Sequence, residues 1–382
     1  MAWPWDIRTR GSLPIQVRHR VEMHQGDPGR VRTVFAADTV WSPAMSRHLF
    51  PALAHVRGTL VAIVEEDRRG VASATTCGGT TLARLLDAAH GLAPIRTAVV
   101  HPCDGVSVMG AVRARDAGLI EPVLVGPKAK VWAAAAETGV ELDRIEVVDV
   151  PHSHAAAEKA VELARAGEVA ALMKGALHTD ELMEAAVRKE TGLRTDRRMS
   201  HVYALDVPHH PKPLFITDAA VNISPSLDDK RDIVQNAIDL CHALGIPEPK
   251  VAVLSAVETV TPRIASTIDA AALCKMAERG QITGGVVDGP LAIDNAVSGP
   301  AAATKHIVSP VAGDADVLVV PDLVSGNMLA KQLIHLAGAE AAGLILGARL
   351  PIVVTSRSDG ERSRVASCAL AQLIVHHQGK RT

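Results

Sequence analysis

The stretch Val169-Ala-Ala-Leu-Met-Lys-Gly-Ala-Leu-His-Thr-Asp-Glu-Leu-Met183 opens on an unbroken apolar run, turns through Lys174-Gly175, and resumes from Thr179 with apolar residues at helical spacing. An apolar run of this length predicts a strand buried on both faces, and the following period predicts a helix over 179–189. The same unit recurs from Pro94 onward. Runs at 97–101, 122–125, 145–150, 202–207, 214–217, 251–255, 285–288, 317–321, 343–346 and 352–355 read as further strands. Segments 107–117, 154–166, 228–244, 263–278, 325–337 and 360–376 read as the helices between them. Alternating strands and helices imply an α/β fold with mostly parallel sheets and helices on both faces.

Composition narrows the function. The chain has 382 residues with a formal net charge of −2, and its four Trp, three Phe and one Tyr are too few for base-stacking platforms. Nucleic acid is not an expected partner. No apolar stretch reaches the roughly 20 residues of a membrane span, and the N-terminus lacks a signal-peptide block, so no membrane partner and a cytoplasmic location are expected. The cysteines Cys77, Cys103, Cys241, Cys274 and Cys368 form no CxxC pair, which predicts reduced thiols rather than a disulfide framework or zinc site. Residues 1–70 contain ten Arg and no Lys, and the twelve lysines begin at Lys128. The first 90 residues are therefore read as an N-terminal extension of unknown role. Within it, 30–36 alternates, 60–64 is apolar, 81–89 has helical period, and the arginines read as those of a solvated, loosely ordered arm.

Ligands of open α/β sheets gather at strand carboxyl ends, where loops meet helix N-termini. Six such ends read His101-Pro-Cys-Asp-Gly-Val-Ser107, Lys174-Gly-Ala-Leu-His-Thr-Asp180, Thr217-Asp-Ala-Ala-Val-Asn222, Asp288-Gly-Pro-Leu-Ala-Ile-Asp294, Pro321-Asp-Leu-Val-Ser-Gly-Asn327 and Thr355-Ser-Arg-Ser-Asp-Gly360. Helix capping accounts for single Ser, Thr, Asp and Asn residues there. It does not account for Lys174, Lys331 and Arg357, because a cap needs an acceptor; cations near helix starts imply an anion such as phosphate. No GxxxxGK[ST] loop, no GxGxxG after a first strand and no GxSxG elbow is present. The pairs His152/His154, His209/His210 and His376/His377 lack metal-ligand spacing, so no metal is expected.

Five of these motifs carry a resemblance. Met173-Lys-Gly-Ala-Leu-His-Thr-Asp-Glu-Leu-Met183, Ile216-Thr-Asp-Ala-Ala-Val-Asn222, Ile282-Thr-Gly-Gly-Val-Val-Asp-Gly-Pro-Leu291, Val320-Pro-Asp-Leu-Val-Ser-Gly-Asn-Met-Leu-Ala-Lys331 and Pro351-Ile-Val-Val-Thr-Ser-Arg-Ser-Asp359 resemble, in order, the phosphate acetyl/butyryltransferase family. The version most similar is the C-terminal half of fusions with an enoyl-CoA hydratase. No such hydratase is recognisable in the first 90 residues, and its activity is not carried over.

The resemblance implies reversible transfer of a short acyl group, acetyl to butyryl, between coenzyme A and inorganic phosphate. It implies a two-domain, isocitrate/isopropylmalate dehydrogenase-like fold with the active site in the interdomain cleft. Residues 91–200 together with 347–382 would form the first domain and 201–346 the second. Ser356 and Arg357 match the family's Ser-Arg pair, which would polarise the carbonyl and hold the leaving phosphate. The acetyl branch places its base where this chain has Ser363, leaving Asp359 and Glu361 as local substitutes. Ser325, Asn327 and Lys331 are assigned to phosphate or acyl phosphate, the last two at i, i+4 spacing. Lys174 and Thr179 would meet CoA or phosphate, and Asp288 and Asp294 would order the cleft. Coenzyme A is then a substrate with no permanently bound cofactor, and a homodimer is implied. Two alternatives remain at this point: an NAD(P)-dependent dehydrogenase on the same architecture, and a catalytically silent CoA- or acyl-phosphate-binding protein.

Overall fold

In a computed structural model the chain forms two compact units, Met1–Ser73 and Ala74–Thr382. The structure describes residues 80–355 and 360–379, together with the strands β1 (Asp6–Ile7), β2 (Ile15–Met23) and β3 (Val31–Asp38). These three strands pair antiparallel, with β2 and β3 registered from Gln16↔Asp38 to Met23↔Val31. The alternating stretch at 30–36 thus belongs to β3, and the arginines Arg18, Arg20 and Arg32 lie in paired strands rather than in a loosely ordered arm. The apolar run at 60–64 lies outside the described residues.

The second unit is built on one sheet of eleven strands. These are β4 (Ile95–Val100), β5 (Ile120–Gly126), β6 (Glu146–Asp149), β7 (Ala171–Lys174), β8 (Ser200–Asp206), β9 (Leu214–Thr217), β10 (Lys250–Leu254), β11 (Val286–Leu291), β12 (Val317–Val319), β13 (Glu340–Leu346) and β14 (Ile352–Val353). Every apolar run expected to be a strand from residue 94 onward became one. Their order is β11-β10-β12-β9-β8-β13-β14-β7-β4-β5-β6. Pairing is parallel within β11-β10-β12-β9 and within β14-β7-β4-β5-β6. It is antiparallel at β9-β8, β8-β13 and β13-β14. Two parallel wings running in opposite directions are therefore joined by an antiparallel centre.

The register adds a feature that periodicity cannot supply. Successive pairings link Val99, Met173, Val353, Leu344, Val202, Thr217, Val319 and Val253 into one row across the sheet. In β4, β7 and β14 this row lies at the carboxyl end. The same holds for β9, β12 and β10, although these strands run the other way. Loops of both wings thus start from a common line and leave it in opposite directions.

Helices cover both faces. The helix Glu361–Gly379 buries Ala366, Cys368, Ala369, Leu370, Leu373 and Ile374 in a cluster with Val99, Met173 and Val353 of one wing and Val251 and Val317 of the other. Burying each large aliphatic side chain contributes about 1.5–3 kcal/mol. Asp104 caps the helix Gly105–Asp116 by accepting from Ser107 N at 2.7 Å, and Ser226 with Asp229 forms a capping box on Leu227–Ala243. The helix Lys128–Thr138, not anticipated from the sequence, ends at Gly139 with φ of 68°.

Candidate functional site

At the end of β7, Lys174 is 6% exposed and its Nζ donates to the carbonyls of Leu177, at 3.0 Å, and Gly175, at 3.3 Å. Gly175 is required there: a Cβ would sit 2.4 Å from the carbonyl oxygen of Val100 and 2.7 Å from that of His101. The loop then enters the helix Thr179–Val187, with Thr179 half-buried at its first position and Glu181 accepting from His178 N at 3.1 Å. Beside it His101, at the end of β4, holds a φ of 54°. Burial, reinforced by Lys130, lowers its imidazole pKa despite opposing contributions from Glu181 and Asp104.

Ser356, Arg357 and Asp359 lie outside the described residues; the positions on either side of them are defined. Thr355 is 2% exposed and accepts a 2.6 Å hydrogen bond from Nη1 of Arg364, itself 3% exposed in the last helix. Arg364 was not singled out by sequence reasoning. The signal available was a cation in the first turn of a helix, where the macrodipole disfavours one. Glu361, the other candidate base, lies 3.1 Å from Arg113 at the surface.

On the opposite wing, Asp218 at the end of β9 is 2% exposed. Its oxygens accept from the backbone N–H groups of Ala220, Val221 and Asn222, each at 3.0 Å, and from Asn222 Nδ2 at 2.6 Å. Burial pushes the carboxyl upward and these donors pull it back. Asn222 in turn donates to Met199 O and accepts from Arg198 Nε at 2.7 Å. This loop is internally satisfied.

The helix Leu323–Leu336 behaves similarly at its start. Asp322 accepts from Ser325 N at 2.9 Å, and the Ser325 hydroxyl donates to Asp322 as well. Ser325 is therefore held in the cap of this helix by Asp322. Asn327 donates to Ala219 O at 3.1 Å, tying this helix to the Asp218 loop, while Lys331 one turn on is exposed and has no partner among the described residues. Asp288 accepts from its neighbour Gly289 N at 2.8 Å. Asp294 is exposed and lies 3.6 Å from Lys305.

The wings nevertheless meet. Val221 of the Asp218 loop packs against a cluster containing Leu177 and Leu182, together with Met183 and Val354, two residues before Ser356. A cavity of about 450 Å³ that Val221 also lines brings the arginines Arg194, Arg197 and Arg198 together with Asp196, Asp229 and Asp232. Among the described residues no group of His, Cys, Asp or Glu could hold a metal, and no helix is long and apolar enough to cross a membrane. Burial pushes the thiols of Cys274 and Cys368 up to about 12 and raises those of Cys103 and Cys241.

A family model described as Phosphate acetyl/butaryl transferase matches residues 153–372. A phosphate acetyltransferase of Rhizobium meliloti is 63% identical over 290 residues, 76% of this chain and 92% of that protein. A phosphate butyryltransferase of Clostridium acetobutylicum is 41% identical over 269 residues, 70% of this chain and 89% of that protein. The solved branched-chain phosphotransacylase from Enterococcus faecalis V583 aligns with a TM-score of 0.65 at 30% identity, covering 74% of this chain and 99% of that one. These relatives lend nothing to the dehydrogenase or to the silent binding protein. With the family match spanning more than half the chain and crossing both wings of the sheet, this protein belongs to the phosphate acetyl/butyryltransferase family.

Proposed function

We propose that the protein reversibly transfers a short acyl group, acetyl to butyryl, between coenzyme A and inorganic phosphate. The observation that carries this reading is 63% identity over 290 residues to a phosphate acetyltransferase, spanning the strand ends of both wings. In the direction from acyl phosphate, the CoA thiol attacks the carbonyl carbon, the C–S bond forms, and the C–O bond to phosphate breaks. Negative charge grows on the carbonyl oxygen and the departing phosphate. Arg357 forks onto those oxygens and Ser356 donates one hydrogen bond. Asp359 takes the thiol proton, since Glu361 is paired with Arg113. Lys331, exposed and without a partner among the described residues, and Asn327, with an amide hydrogen to spare, meet the phosphate. Lys174 and Thr179 form the facing wall.

The raised thiol pKa values favour direct transfer to CoA over an acyl-cysteine enzyme, because a neutral thiol is a weak nucleophile. Coenzyme A is a substrate and no cofactor resides in the site. Residues 91–200 with 347–382, and residues 201–346, act as two domains about a cleft over the common row, as in isocitrate/isopropylmalate dehydrogenases. The protein works in the cytoplasm as a homodimer with a complete site in each subunit. Assaying CoA-dependent consumption of acetyl, propionyl and butyryl phosphate tests the reading. Turnover with acetyl and butyryl substrates is expected, within about a thousandfold of one another since each methylene is worth only about 1–3 kcal/mol. No turnover with any chain contradicts it.

A further inference from the structure

Arg364 is a cation in the wrong place for local stability. It lies in the first turn of Glu361–Gly379, where a helix favours acids, and it is 3% exposed, so its guanidinium has been taken out of water. A position with both penalties needs a compensating interaction. The fold makes room for it: on the helix Gly105–Asp116 a Cβ at Gly110 would stand 2.9 Å from Arg364 Cδ and 3.6 Å from Met173 Cε. Only the absence of a side chain lets the arginine stem pass. At its tip, Nη1 donates to the Thr355 hydroxyl at 2.6 Å, a charge-assisted bond made where both partners are buried. Thr355 is the last residue before Ser356 and Arg357, and it follows a strand of only two paired residues, Ile352 and Val353. With so short a strand, hydrogen bonds of the ladder alone leave the exit of the chain weakly fixed.

We propose that Arg364 is a positioning residue of the transfer reaction: it fixes Thr355, the residue that immediately precedes the Ser356-Arg357 pair in the sequence. This rests on the assignment of the Ser356-Arg357 pair above. Arg364 acts through Arg357 rather than by touching substrate, so its contribution should vanish once Arg357 is gone.

The test is a double-mutant cycle in the full-length enzyme, with acetyl phosphate and CoA as substrates and thermal unfolding as the folding control. Arg364→Met should lower kcat by about 30-fold while the KM for CoA stays within about threefold. In an Arg357→Gln background the same change should lower kcat by less than about threefold. Arg364→Lys should recover part of the loss, because an ammonium still reaches a hydroxyl. Thr355→Val, which keeps the arginine and removes only its acceptor, should cost about tenfold in kcat and serves if Arg364→Met fails to fold. Effects that multiply fully in the double variant, or parent-like kcat in Thr355→Val, overturn the proposal. Parent-like turnover in Arg357→Gln alone removes the Ser356-Arg357 reading itself, a failure distinct from the first two.

Discussion

The two wings of the sheet end in loops of similar composition and opposite character. At the ends of β9 and β12, buried or half-buried carboxylates are satisfied by their own chain: Asp218 by four donors, Asp322 by Ser325. At the ends of β7 and β14, the buried groups are cations, Lys174 at 6% and Arg364 at 3% exposure. Saturated loops of the first kind act as scaffold, because every polar group removed from water already has its partner. Buried cations beside strand ends of the second kind build a positive field, and an anionic substrate gains from it. Both kinds of loop start from the one row that crosses the sheet.

The contrast breaks most severely at Gly175. Gly175→Ala pushes a Cβ against two backbone oxygens that cannot yield, so about 3 kcal/mol of stability should be lost in urea unfolding, with turnover reduced further by displacement of Lys174. An Asp218→Asn change should cost about 2 kcal/mol, because its NH2 would face N–H donors, while the KM for phosphate stays near the parent value. A large KM effect there would mean that the saturated loop also binds substrate.

The antiparallel seam offers a pH readout. His201 is 1% exposed between the wings, packs edge-on against Tyr203 at 4.3 Å between centroids, and burial drives its pKa down to about 3. The unfolded chain takes up that proton below pH 6.5 and the folded protein does not. Stability is therefore full above pH 6.5 and declines as pH falls toward 3, by about 1.4 kcal/mol over the first unit. Comparing urea midpoints at pH 7.5 and 5.5, His201→Phe should lack this component of the decline. The smallest stability effect is expected at Lys331. Lys331→Ala should leave stability within about 0.5 kcal/mol and raise the KM for phosphate about tenfold, whereas Asp294→Asn should change neither.

Much of the α/β frame was legible because a strand buried on both faces must be written as an apolar run, as in 169–173 and 214–217. Strand direction was not, because β8 and β13 look like their parallel neighbours in composition; pairing direction is a tertiary property. The site was legible as motifs but not as roles. Ser325 and Lys331 fall in one motif, yet the hydroxyl joins a cap and the ammonium has no partner among the described residues. For Arg364 the sequence offers only a cation in a first helical turn; the glycine that admits its stem, Gly110, lies 254 positions earlier and meets it only in three dimensions.

In the proposed reaction Arg357 carries the heaviest chemical load, since it would hold two oxygens while charge develops on them. The decisive measurement is kcat/KM for acetyl phosphate and CoA in Arg357→Lys beside Arg357→Gln and the parent, with unfolding temperatures recorded for all three. Both variants should fold like the parent, and both should lose at least about a hundredfold in kcat/KM, because a lysine keeps the charge and lacks the planar fork. Near-parent activity in Arg357→Lys would contradict the bidentate role, and near-parent activity in Arg357→Gln would remove the Ser356-Arg357 pair from the reaction.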